Sequence, residues 1–405
     1  MADSLDAATS RRTFVAAAMA IGCLQTMAYG TLYYPFAVLK QPMADSGIDS
    51  RLPLAAVSGA FLVGGLLAPF VGRTIDRWDG RKVMALGTIS GGLACAVMGF
   101  TENIALLLLA VVLLGSAFAS TLYDSAFSTI VRIVPRGGRT AITLITLVAG
   151  FASTIFWPLT HWLESRMGWQ STWHVYAFLN IAIAAPAYLL LPVPTRSSVS
   201  IRDRSQRVAG ARRQSHQSRV FVLLAFVFSV NALVAATLSI QIIDLLQRAG
   251  LAAVTAVSAA ALIGPAQVAG RLAEFLLRRN VRPPATAVFA LTCLPIALIL
   301  LLVTDSYAMA AGFALMYGLS NGLVTIVKGA LPLSLFGSDG YGTLMGRLAS
   351  PQLIAESMAP FVSAVAIVSL GDQVSISILL AFACLSVVAM LMLIASQPSQ
   401  SDHEG

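Results

Sequence analysis

Long uncharged apolar runs, repeated down its whole length, constrain this chain more than any other feature. Residues 376–395 and 104–115 contain no charged residue. A helix needs about 20 such residues to cross the hydrocarbon core of a bilayer. Lipid offers no partners to backbone N–H and C=O groups, so spanning segments must be helices that satisfy them internally. Composition agrees, with 57% of residues hydrophobic and 11% charged. A soluble globular chain carries about 25% charged residues because its surface faces water. Here most of the outer surface must face lipid, which excludes a soluble multidomain protein.

The runs predict an all-α membrane protein of twelve transmembrane helices in two pseudo-symmetric six-helix bundles. The first six spans are expected at about 13–39, 54–75, 82–100, 104–131, 141–163 and 172–191. The second six are expected at about 220–246, 252–277, 285–303, 307–333, 342–370 and 375–396. Pro158, Pro265 and Pro360 fall inside spans and predict kinks, which neighbouring helices in a bundle can accommodate. Residues 193–218 are rich in Arg, Ser and Gln, a composition that builds no core. They are expected to link an N-terminal bundle, 1–192, to a C-terminal bundle, 219–405. Of the 26 Lys and Arg, 21 fall on the N-terminal tail, the linker, and the alternate loops and helix ends of one side. The positive-inside rule makes that side cytoplasmic, with both termini inside. The net charge of +8 therefore reports topology and not nucleic-acid binding. Trp162, Trp169 and Trp173, near the outer ends of spans five and six, read as an interfacial belt.

The two halves share a loop. After span two come Gly72, Arg73, Asp76, Arg77, Gly80, Arg81 and Lys82; after span eight come Gly270, Arg271, Glu274 and Arg279. Gly-Arg matches Gly-Arg, acid matches acid, and Arg81 matches Arg279. The first loop resembles the signature G-x-x-x-D-R-x-G-R-[RK] of the major facilitator superfamily, with Asp79 as one extra residue. Tyr29-Gly30-Thr31-Leu32-Tyr33-Tyr34-Pro35, with Lys40-Gln41-Pro42, resembles the first helix of monocarboxylate-porter-like members. The resemblance implies two bundles that rock about a central site. It also implies that Gly72, Asp76, Arg77, Arg81, Arg271 and Glu274 gate one end of it. In the family an acid near Asp124 pairs with an Arg of the signature loop, so Asp124 joins the expected gate.

Ionisable side chains at membrane depth are costly and point to function. Glu356, mid-way along span eleven, is a candidate for binding and releasing a coupling proton. Lys328 in span ten is the only lysine inside a span and could hold an anion, with Glu274 as its expected partner. Gln25, Tyr29 and Tyr33 recur every fourth residue, which predicts one shared helix face. With Trp157, Asn231, Gln267 and Asn321, they make a candidate lining for a small solute.

These features predict a secondary transporter in the cell inner membrane, working as a monomer, with a small-molecule solute and protons as its partners. No GxxxxGK[ST] loop marks an ATP-driven pump. No metal, cofactor or nucleophile–base pair marks an enzyme. A small organic acid is the favoured cargo. Uptake of a vitamin or heteroaromatic compound such as riboflavin, and efflux of a toxic compound, stand as alternatives.

Overall fold

The computed structural model describes residues 2–49, 51–100, 104–134, 137–192, 210–277 and 281–396. Residues 193–209 of the expected linker, and Arg279 of the second loop, lie outside them. The described residues are helical throughout, with no strand. Nine stretches among them are long and apolar enough to cross a membrane. The longest, Gly138–Leu189, has 52 residues and is interrupted at Gly168. Its φ of 81° and ψ of 165° suit only a residue without Cβ, and expected spans five and six lie on its two sides. Expected spans three and eleven correspond to helices Gly80–Met98 and Tyr341–Leu370, which are outside the nine.

By compactness the chain divides into two units. One is Met1–Thr195 with Lys328–Pro360; the other is Arg196–Val327 with Phe361–Gly405. In the first, the helices are α1 (Ala2–Leu32), α2 (Pro35–Asp45), α3 (Arg51–Arg77), α4 (Gly80–Met98), α5 (Ile104–Thr121) and α6 (Tyr123–Ile133). They continue with α7 (Gly138–Ala149), α8 (Ala152–Phe178), a π-helical turn at Leu179–Ala184, and α9 (Ala185–Leu189). In the second unit lie α10 (Gly210–Arg248), α11 (Ala253–Ala260), α12 (Ile263–Leu277) and α13 (Pro283–Leu302). Helices α14 (Tyr307–Phe336) and α15 (Tyr341–Leu370) contribute to both, and α16 (Asp372–Ala395) completes the second. Helix α10 begins inside the segment expected to be linker.

Several expected spans are two helices end to end, for identifiable reasons. Span one breaks between α1 and α2 because Pro35 has no N–H for the Thr31 carbonyl; the Cys95 thiol approaches that carbonyl instead, at 3.7 Å. Span eight breaks at Ala261–Leu262, where the ring of Pro265 crowds the carbonyl four residues back. Span four breaks at Leu122, whose ψ of −176° is extended. Around it, the hydroxyls of Ser120, Thr121 and Ser128 each donate to the carbonyl four residues earlier, a pattern that bends helices.

Leu32, Phe36, Phe118, Trp173 and Tyr176 are central to the core of the first unit. Trp169 and Trp173 are therefore core residues and not the interfacial belt expected of them; Trp173 packs on Phe36 at 5.0 Å between ring centroids. The second unit has its own core around Val234, Leu238, Leu298 and Phe313.

Candidate functional site

The signature loop joins α3 to α4 and abuts the start of α15, all within the first unit. Gly72, Gly342 and Gly346 let the backbones of α3 and α15 meet directly. A Cβ on Gly72 would land on the Gly342 carbonyl, and one on Gly346 on the Ala68 carbonyl. Asp76 then caps α15. Its Oδ1 accepts from the Gly342 N–H at 2.9 Å and its Oδ2 from the Thr343 N–H at 2.6 Å. A carboxylate at a helix N-terminus gains from both the unpaired donors and the helix dipole. Arg77 is exposed in the last turn of α3, where a cation complements the dipole. Gly72→Ala should force the two helices apart and release Asp76, which would raise the labelling rate of a cysteine placed at Thr343. An unchanged rate would show that the contact tolerates a methyl group.

Asp79, the extra residue of the loop, is the N-cap of α4 and accepts from the Arg81 N–H at 3.1 Å. The Arg81 guanidinium returns to it at 2.6 Å and also donates to the Leu191 carbonyl at 2.6 Å. Hydrogen bonds from the Arg81 side chain hold the Asp79 carboxyl below its ordinary range. The cap is thus in place at neutral pH and is lost as pH falls through that lowered value. Arg81 is committed to Asp79 and Leu191, so the signature-loop arginine expected beside Asp124 is not there.

Asp124 stands in the first turn of α6, just past the break in span four. Its Oδ2 lies 2.8 Å from Lys328 Nζ, with 13% and 14% of the two side chains exposed. This pair corrects two expectations, that Asp124 meets a loop arginine and that Lys328 meets Glu274. The physical reason is that two lone charges at membrane depth are each too costly to leave unpaired, and α14 brings them together. Asp124 Oδ1 is buried and has no partner among the described residues. A small cavity of about 10 Å³ lies beside it, lined in part by Ser125, Ser128 and Gly342.

Gln25 does not share an open face with Tyr29 and Tyr33. It is 0% exposed, and its Nε2 donates to the Thr121 carbonyl at 2.5 Å and towards the Tyr188 hydroxyl at 3.3 Å. Thr121 O is one of the carbonyls freed by the break, so Gln25 ties that break to α1. Helical spacing places a residue on a face but does not say which neighbour the face meets.

Half-buried aromatic rings cluster beside the charged pair. Tyr29 lies 4.8 Å from Tyr123 between ring centroids, and Tyr123 stacks on Phe127 at 5.3 Å. Tyr33 meets Tyr29 edge-on at 6.4 Å and Phe61 at 5.8 Å. Trp157, 48% exposed, meets Tyr34 edge-on at 5.9 Å. Glu356 accepts from Gln352 Nε2 at 3.0 Å and is near enough to interact electrostatically with Lys328, Asp124 and Tyr29. Sequence reasoning missed Tyr34, Tyr123 and Gln352. Tyr123 precedes Asp124 directly, and that adjacency was the available signal.

The remaining candidates belong to the second unit. Asn231 is buried on α10. Gln267 of α12 lies against Gly322 of α14, next in sequence to Asn321. Arg271 and Glu274 are both buried one turn apart on α12, and Arg271 Nε and Nη1 have no partner among the described residues.

The sequence pattern of the Major Facilitator Superfamily matches residues 18–360. The chain belongs to that superfamily. With nine candidate spans among the described residues, it is a multi-pass membrane protein. Its curated relatives include the purine ribonucleoside efflux pump NepI of Escherichia coli (strain K12), 26% identical over 149 residues, which are 37% of this chain and 38% of that protein. NepI of Shigella flexneri matches to the same extent. The chain thus aligns with little more than a third of the relatives' length. Among solved structures, the crystal structure of the human organic anion transporter MFSD10 (TETRAN) superposes with a TM-score of 0.71. It covers 94% of this chain and 99% of that one at 18% identity, a likeness of fold.

Proposed function

We propose that this transporter moves a small solute with a flat aromatic or heteroaromatic part across the inner membrane by alternating access, coupled to protons. The observation that carries this reading is the cluster of half-buried rings around Tyr29 and Tyr123, placed beside Asp124, Lys328 and Glu356. Rings so grouped offer offset and edge contacts to a planar guest, and the polar groups beside them fix its orientation. The relation to purine ribonucleoside efflux pumps supports a cargo of this class and an outward direction. Riboflavin-type uptake is the same chemistry run the other way. In this reading the residues that contact the solute are drawn from Tyr29, Tyr33, Trp157, Asn231, Gln267 and Asn321. Glu356 carries the proton. Asp76 on α15, with Gly72, Arg77 and Arg81, holds the cytoplasmic end shut, and Arg271 with Glu274 acts as the weakened repeat. The bundles that alternate are 1–192 and 219–405, acting within one monomer with both termini cytoplasmic.

A small organic acid is the second reading, and Lys328 favours it. Its ammonium is already neutralised by Asp124, so an anion would have to displace a carboxylate 2.8 Å away, which ranks this reading below the first. Thermal unfolding of the purified chain with purine ribonucleosides, riboflavin and aliphatic carboxylates separates the two. A ligand at about 100 times its Kd stabilises the folded state by about 2.7 kcal/mol. The heteroaromatic compounds should raise the melting temperature, and Tyr123→Leu should remove that shift. A response to carboxylates alone would overturn the aromatic reading.

A further inference from the structure

The second unit holds a cavity that no candidate residue touches. It is about 60 Å³ and runs between two stripes of side chains. On α10, Thr237, Gln241 and Leu245 recur every fourth residue and so form one face. On α16, Ile376, Leu379 and Phe382 form the other. Leu245, Ile376 and Leu379 are buried, whereas Phe382 is 40% exposed and forms an open edge. The lining is almost wholly apolar. Its volume is far below the roughly 300 Å³ at which pockets for drug-sized ligands begin, so the cleft suits one thin apolar chain and not a compact solute.

The two stripes end at the same place. One turn beyond Leu245 stands Arg248, and one turn before Ile376 stands Asp372; Arg248 Nε donates to Asp372 Oδ2 at 2.7 Å. Arg248 is 42% exposed at its side chain. Its two terminal nitrogens make no bond to the described residues, so most of the fork of donors faces outward. Inside the cleft, the buried Thr237 hydroxyl also has no partner among the described residues. An apolar slot with a guanidinium at its mouth has the polarity of a phospholipid, with its chain inward and its phosphate outward.

We infer that this cleft is a binding site for one acyl chain of an anionic bilayer phospholipid, whose headgroup is held by Arg248. The Arg248–Asp372 pair orients the guanidinium without using its terminal nitrogens, and these remain to grip the phosphate. Such a lipid would fill the cleft left beside the direct packing of α10 on α16.

Tryptophan quenching tests this directly. All five native tryptophans lie in the first unit, so Phe382→Trp adds a single reporter to the second. The full chain carrying it is reconstituted with increasing phosphatidylglycerol brominated on its acyl chains, and separately with phosphatidylcholine brominated in the same way. The Phe382→Trp signal, taken as the difference from the unsubstituted chain, should reach half-quenching at about a fivefold lower mole fraction of the anionic lipid, the advantage of one basic side chain at a membrane surface. Arg248→Gln should abolish that preference. Equal quenching by both lipids would mean ordinary contact with bulk lipid and overturn the inference, as would a preference that survives Arg248→Gln. Leu379→Trp repeats the measurement from the floor of the cleft if Phe382→Trp does not fold.

Discussion

Glu356→Gln is expected to abolish accumulation of the solute against its gradient while leaving downhill exchange intact. The glutamine has almost the same shape and can still bond Gln352, the partner that Glu356 holds at 3.0 Å. What it loses is the ability to take up and release a proton. If that proton couples transport to the gradient, proteoliposomes with an imposed pH difference should show the internal-to-external solute ratio settling at unity. Counterflow of labelled solute should continue. Uphill transport by the variant at an unchanged ratio would remove Glu356 from the coupling step and leave it as a buried polar group of α15.

The second large effect concerns the ion pair. Lys328→Met strips Asp124 of its one charged partner among the described residues, where Asp124 Oδ1 already has no partner. Removing one member of a buried pair costs about 3–5 kcal/mol, because the remaining charge is left uncompensated. Asp124→Asn should cost a comparable amount by stranding the ammonium. The double variant Asp124→Asn with Lys328→Met removes both charges and should recover most of the loss. Thermal or denaturant unfolding of the four proteins gives the coupling as a double-mutant cycle. Additive losses would mean that the 2.8 Å contact contributes nothing of its own.

Both predictions rest on residues that were legible in the sequence as single charges within apolar runs. Their partners were not. Asp124 and Lys328 are 204 positions apart, and nothing in local spacing connects them; the family resemblance points Asp124 to a loop arginine, and Glu274 is the expected partner of Lys328. The spans themselves were readable because lipid imposes length and apolarity on each one separately. Of the kinks expected at Pro158, Pro265 and Pro360, only Pro265 follows a break; α8 and α15 run on through Pro158 and Pro360, and the break at Pro35 is not among those expected. At Leu122 the cause is a group of serine and threonine hydroxyls competing for carbonyls, and Ser and Thr occur in unbroken helices as well. Asp79 looked like a slip in a motif. It proves to be the residue that starts α4, because a cap is defined by backbone geometry and not by motif position. Gln25 shows the same limit, since periodicity gave its face correctly but could not say that α5 covers it.

The meeting of α3 and α15 through Gly72, Gly342 and Gly346 has a further consequence. Most protein contacts lock side chains into single rotamers when they form and free them when they part, which makes both steps slow and entropically expensive. At this joint backbone meets backbone, and the short carboxylate of Asp76 bonds across it, with Phe61, Ala68, Ala349 and Leu353 packed alongside. In the proposed cycle such a joint has few long side chains to re-sort at each opening.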